Sequence, residues 1–146
     1  MQLLKSDVFG SVRRLGDVVV RETDHARPWA RVIARHLMRR EFRALTRLGT
    51  GSGIDGIPRA LELQSTQLKR TWIDGVPMHL ARPRDPEYFR AASRLLRRLH
   101  AANVIHNDLA KEPNWLVTPD GRPALVDFQL AMTLERRGAL DRKSVV

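Results

Sequence analysis

His106-Asn107-Asp108, then Asn114 and Asp127, put the side-chain types of a phosphoryl-transfer site into one short stretch of chain. Phosphoryl transfer asks for little covalent chemistry from a protein. It needs a carboxylate to orient an acceptor hydroxyl, and oxygen ligands to hold Mg²⁺ on a nucleoside triphosphate. Asp108 is the candidate for the first task, and Asn114 with Asp127 for the second. Any one of them alone reads as a turn or cap residue, because Asp and Asn favour such positions. Their order ahead of a hairpin gives them a collective meaning that no single residue has.

Trp115-Leu116-Val117 and Ala124-Leu125-Val126 flank Thr118-Pro119-Asp120-Gly121, a strong turn signal. A hairpin turning on Asp120-Gly121 places Asn114 opposite Asp127, with a shift of about one or two residues left open because loop length sets register. Either way both side chains emerge at the open end of one hairpin. Two oxygen ligands on neighbouring strand ends can share Mg²⁺, which takes few protein ligands beside phosphate oxygens and water. Asp108 lies in the loop that feeds this hairpin.

Further elements are needed to position these groups. Ser11–Leu15 and Val18–Arg21 read as a strand pair around Gly16-Asp17. Residues 28–48 read as a helix: Pro28 suits its first turn, and Gly49 ends it. Its expected apolar stripe is Ile33, Leu37, Leu45 and Leu48, widened by Met38 and Phe42. Two short strands follow over 60–63 and 68–73, then a loop over 77–86. Asp85-Pro86-Glu87 opens a second helix, with Phe89, Ala92, Leu95, Leu96 and Leu99 as its stripe. Arg136–Leu140 is a candidate start of another helix. Gly51-Ser52-Gly53-Ile54-Asp55-Gly56 matches a dinucleotide fingerprint literally, but it follows a helix and precedes a strand. The fingerprint requires the reverse, so this segment reads as a helix-to-strand connection.

The segment from His106 to Val117, followed by Val126-Asp127-Phe128-Gln129, resembles the catalytic loop and metal-binding Asp of the protein-kinase-like superfamily. It is most similar to the small atypical branch of RIO-type and bacterial lipopolysaccharide-core kinases. The resemblance implies an α+β fold: a small antiparallel-sheet N-lobe with one helix, about 1–76, and a truncated helical C-lobe, about 77–146, that carries the hairpin. The two lobes form a single domain. Only nineteen residues follow Asp127, which is expected of a minimal kinase, a truncated reading frame or one half of an assembly. ATP and Mg²⁺ are the implied cofactors. Asp108 is implied to orient the acceptor hydroxyl, and Asn114 with Asp127 to bind the metal. His106 takes the family's structural role of supporting the loop.

Upstream, the resemblance implies a basic strand residue paired with a helix Glu. Arg21 and Glu41 have the spacing, but the family residue is Lys, and no lysine lies between Lys5 and Lys69. Arg can meet phosphate bidentately, yet it is bulkier and planar. The plain alternative is an ordinary strand charge and a helix-surface Glu. Gly10, in Phe9-Gly10-Ser11-Val12, matches only the end of the Gly-rich phosphate loop; it either lets backbone approach phosphate or simply turns the chain. Lys111 is a further candidate cofactor contact. Two more spellings depart from the family. Five residues rather than four separate Asp108 from Asn114, and Asp-Phe-Gln replaces Asp-Phe-Gly, so Gln129 lacks glycine's backbone freedom.

Composition narrows the partners. The net charge is +10 and there is no cysteine, which removes disulfides and thiolate chemistry and suits a cytoplasmic setting. No stretch approaches the roughly 18 apolar residues of a membrane span, and the N-terminus lacks a secretory apolar core. The basic charge suits phosphate-rich partners and leaves peripheral membrane contact open, although solvated Arg on helix faces explains it equally well. An aromatic platform, helix-turn-helix spacing or zinc motif that would mark specific nucleic-acid binding is absent. The expected activity is therefore an ATP-dependent serine/threonine protein kinase of atypical type. A lipopolysaccharide-core sugar kinase and a non-catalytic pseudokinase or nucleotide-binding module are the alternatives. The acceptor, as protein or lipopolysaccharide sugar, and the oligomeric state stay open.

Overall fold

A computed structural model describes residues 2–51 and 53–135. The expected helix start at 136–140 lies outside them. The chain is α+β. Its first half is a five-stranded antiparallel sheet in the order β1-β2-β3-β5-β4, built from β1 (Gln2–Asp7), β2 (Gly10–Leu15), β3 (Val18–Glu22), β4 (Ala60–Leu63) and β5 (Gln67–Thr71). Helix α1 (Arg31–Leu48) is entered through a single 3-10 turn at Pro28–Ala30. The second half holds β6 (Val76–Pro77), the short helix α2 (Met78–Ala81), α3 (Pro86–Ala101), β7 (Val104–Ile105), the hairpin β8 (Trp115–Val117) and β9 (Pro123–Leu125), and β10 (Met132–Thr133). Among the described residues no helix is long and apolar enough to cross a membrane.

Helix α1 buries Ala34, Met38, Glu41, Ala44, Leu45 and Leu48. Met38, Leu45 and Leu48 of the expected stripe are buried, Leu37 and Phe42 are half-buried, and Ile33 is 48% exposed because the N-terminal part of the face is filled by Ala34 instead. Small residues let the helix lie close to its neighbours, and a carboxylate occupies the middle of the buried face. Helix α3 is capped as its sequence suggests, with Asp85 accepting from the Glu87 amide at 2.9 Å. Its buried aromatic is Tyr88 rather than Phe89. Tyr88 alone gains a partner for its polar end, the Leu116 carbonyl at 3.1 Å.

One apolar core joins the C-terminal half of α1 (Leu45, Leu48) to α3 (Leu95, Leu99), the hairpin (Trp115, Leu125) and Phe128. The helix that carries Glu41 is thereby fixed against the segment that carries Asp127. The segment of 49–59 is a turn-rich connection, as its context requires, and the Gly56 carbonyl accepts from the Leu125 amide at 2.8 Å.

Candidate functional site

The hairpin closes with Thr118 and Arg122 around Pro119-Asp120-Gly121, and Gly121 sits at φ +80°. This three-residue loop sets the register one step away from the expected one. Trp115 pairs with Leu125, so Asn114 faces Val126 rather than Asp127, and the Val126 amide donates to the Asn114 carbonyl at 2.9 Å. Asp127 is the next residue along and adopts φ +64°. A non-glycine residue there is strained backbone, and such strain persists only where the surroundings over-determine it.

Asn114 is 3% exposed. Its side-chain amide donates to both the Asp108 carboxylate (Oδ2, 3.0 Å) and the Asp108 carbonyl (3.1 Å). The amide nitrogen is thus committed to Asp108, which leaves Oδ1 as the group's ligating atom. The extra loop residue is absorbed by a 3-10 turn at Glu112–Asn114, with the Asn114 amide donating to the Lys111 carbonyl at 3.0 Å. Asn114 is therefore not displaced from Asp108. Lys111 heads this turn and is exposed.

His106 is fully buried and ties the loop to the strand that leads to Asp127. The Asp108 amide donates to Nδ1 at 3.2 Å, and Nε2 lies 2.9 Å from the Val126 carbonyl. A backbone amide can only donate, so Nδ1 is the acceptor and the proton sits on Nε2. The ring also packs edge-on against Phe128, with centroids 4.7 Å apart. Trp115 Nε1 holds the loop from the other side through the Leu109 carbonyl at 3.1 Å.

Across from this loop, Glu41 is fully buried and faces two guanidinium groups. Arg21 Nε donates to Oε2 at 3.1 Å, and Arg70 Nε lies 3.0 Å from Oε1. The second contact is close but poorly directed, since neither Arg70 Nε nor Glu41 Oε1 completes a hydrogen bond. It acts through charge rather than through a shared proton. Glu41 is therefore not the helix-surface residue of the plain alternative.

Arg70 is the residue that sequence reasoning missed. β3 and β5 pair Arg21 with Leu68 and Val19 with Arg70, so all four side chains share one sheet face. Burial pushes the Arg70 pKa down, while the Glu41 carboxylate, and less strongly that of Asp127, hold its charge in place. The available signal was an arginine two positions after a leucine in a strand pairing with β3.

A RIO-domain family model matches residues 4–142. The chain belongs to the RIO-domain family. That family is protein-kinase-like and atypical. No curated protein matches the chain.

The RIO domain's departures from the wider kinase spelling have local explanations here. Gln129 stands where the kinase motif has glycine, but it needs no left-handed backbone, because the positive φ belongs to Asp127. With its amide turned to satisfy both partners, the Gln129 side-chain oxygen accepts from both terminal nitrogens of Arg21. Arginine in place of lysine is thus accompanied by an acceptor, and the two departures meet in space. Gly10 sits at φ +120°, and a Cβ there would stand 2.1 Å from the Glu22 carbonyl. Close backbone packing at the β1–β2 hairpin therefore requires this glycine.

Among the described residues no three His, Cys, Asp or Glu side chains form a protein-only metal cage. Mg²⁺ carried on a nucleotide needs none, because one or two carboxylates beside phosphate and water suffice. Asn114 and Asp127 supply oxygen donors of the types this requires, and they lie just beyond the ends of the two strands of one hairpin. One surface groove, lined by Asp85, Tyr88, Arg94, Arg98, Asp120 and Arg122, lies between α3 and the hairpin turn and includes none of the candidate residues. Its size is not matched by a convergent set of catalytic groups.

Proposed function

We propose that this RIO domain is an ATP-dependent phosphotransferase acting on an alcohol, with a serine or threonine of a protein as the acceptor. The observation that carries the reading is the direct link between Asp108 and Asn114, together with Glu41 buried against Arg21. Its halves act as an N-lobe (about 1–76) and a partial C-lobe (about 77–146) that share the core beneath the site.

Asp108 would accept a hydrogen bond from the acceptor hydroxyl and aim it at the phosphorus. The Asn114 amide holds that carboxylate in one orientation, which is the kind of positioning that lowers a barrier by avoided reorganisation. Asn114 Oδ1 and the Asp127 carboxylate would hold Mg²⁺, which on ATP neutralises charge on the transferred group. Arg21, with its fork held by Glu41 and Gln129, would offer the nucleotide phosphates its charge and the outward N–H groups of its terminal nitrogens. Arg70 keeps Glu41 engaged from the other side. Gly10 shapes the hairpin beside β3, and Lys111 stands exposed on the loop as a further cationic contact for phosphate.

The test is Asp108→Asn, measured for ATP turnover against a mixed Ser/Thr peptide substrate and for ATP binding. A loss of turnover by at least about a hundredfold, with binding retained, is the expected result for a group that orients the nucleophile. Unchanged turnover, or none in the unsubstituted protein, would favour a nucleotide-binding module instead.

A further inference from the structure

One exposed region is unlike the rest of the surface. Trp29 is 68% exposed, Val32 77% and Ile33 48%. They lie at i, i+3 and i+4 and so share one face of the turn that leads into α1. The β1–β2 hairpin tip joins them: Phe9 packs edge-on against Trp29, with centroids 6.5 Å apart, and the Arg27 amide donates to the Val8 carbonyl at 2.9 Å. Val8 and Phe9 are themselves 38% and 37% exposed. These residues make a contiguous apolar tip drawn from two separate elements.

Arginine outnumbers acid around this tip; Asp7, beside Val8, is the acid of the hairpin end and is paired with Lys5 at 3.3 Å. Between Arg27 and Leu48 the only carboxylate is Glu41, and it is buried against Arg21 and Arg70. The outward face of α1 therefore carries cations without acids. Val32 and Ile33 run directly into a groove lined by His36, Arg39, Arg40 and Arg43. Arg31 lies in the first turn of α1, which holds no acidic residue. Arg31 Nε donates to the Ala26 carbonyl at 3.4 Å, which holds this cation beside the apolar tip although the positive end of the helix dipole opposes it.

We infer that this face docks the protein on an anionic membrane surface. Tryptophan and aliphatic side chains beside arginines match the headgroup layer, where apolar insertion and attraction to anionic lipid add. Nucleic acid would use the arginines but has no need of exposed Val32 and Ile33. The inference does not depend on the proposed reaction.

The experiment is co-sedimentation of the full chain with vesicles of phosphatidylcholine alone or mixed with phosphatidylglycerol. The mixed vesicles should bind it, with the affinity falling as salt rises. Tryptophan emission should shift to the blue, since of the three tryptophans Trp29 is the exposed one, Trp115 is 7% exposed and Trp72 is half-buried beneath Arg14. Trp29→Ser with Val32→Ser should weaken binding at least about tenfold, as should Arg31→Glu with Arg39→Glu. Arg31→Glu loses the hydrogen bond to the Ala26 carbonyl as it gains a favourable charge at the helix N-terminus, so circular dichroism and thermal unfolding accompany both pairs and should show them folded at the assay temperature, which separates lost binding from lost fold. Equal binding to neutral vesicles, or undiminished binding by either pair of variants, overturns the inference. So does tighter binding to a homopolymeric RNA that depends on the arginines but not on Trp29 and Val32.

Discussion

Replacing Glu41 with Gln should destabilise the protein by about 3–5 kcal/mol, the usual cost of removing one partner from a buried ionic cluster. The substitution keeps the shape of the side chain and removes only its charge. Contacts of 3.1 Å to Arg21 and 3.0 Å to Arg70 correspond to a gross attraction of about 5 kcal/mol each at an effective dielectric of about 20. Desolvating three ions offsets most of this. What Gln leaves behind decides the outcome: two guanidinium side chains, 14% and 12% exposed, face each other with no counter-charge between them. Against a total stability of about 5–15 kcal/mol the loss is large. Urea unfolding followed by tryptophan fluorescence would read it as a drop in midpoint of roughly 2 M at an unchanged slope near 2 kcal/mol/M. Arg70→Met should cost less, since Glu41 keeps Arg21. Replacing Arg21, Glu41 and Arg70 together with Met should recover much of the loss, because no unpaired ion remains. A loss below about 1 kcal/mol for Glu41→Gln would show a solvent-screened pair and refute the reasoning.

Burial raises the pKa of Tyr88 above the ordinary phenol value of 10.0. A folded-state pKa above the unfolded one means the contribution to stability is complete below about pH 10 and lost as pH rises through the folded value. Tyr88 is the chain's single tyrosine, so phenolate absorbance reports it alone; a native midpoint at or below that of the denatured chain would contradict its burial. Gly10→Ala should cost about 2 kcal/mol or more, because a Cβ would meet the Glu22 carbonyl in a backbone conformation that already favours glycine. Thermal unfolding checks this, and a neutral result would mean that β1–β2 can shift away from Glu22.

Much of the fold and of the candidate site was legible where local chemistry and global packing agree. The Asp85 cap, the hairpin turn and the pairing of Asp108 with Asn114 all carry residue types that only a few local structures favour. β1 was not visible because each of its residues is exposed, so no alternating stripe marks it; backbone pairing with β2 holds it instead. In α1 the sequence offered Ile33 and Leu37 as core residues. The buried face uses Ala34, Ala44 and Glu41, two small residues and a charge that hydropathy ranks low. The same charge explains why Arg70 was hidden. A buried arginine is legible only once its counter-ion is known to be buried, and that depends on how α1 lies on β3 and β5. Gln129 read as a loss of glycine freedom, whereas its side chain meets Arg21 across a contact far apart in sequence.

The central claim is that Asp127 and Asn114 complete a Mg²⁺-nucleotide site opposite the Arg21–Glu41 pair. Calorimetric titration of ATP into the protein, with and without Mg²⁺ and beside the Asp127→Ala variant, tests it most directly. Binding should require Mg²⁺ and be lost in the folded variant. Binding that is indifferent to both Mg²⁺ and Asp127, or no binding by the folded unsubstituted chain, would contradict it.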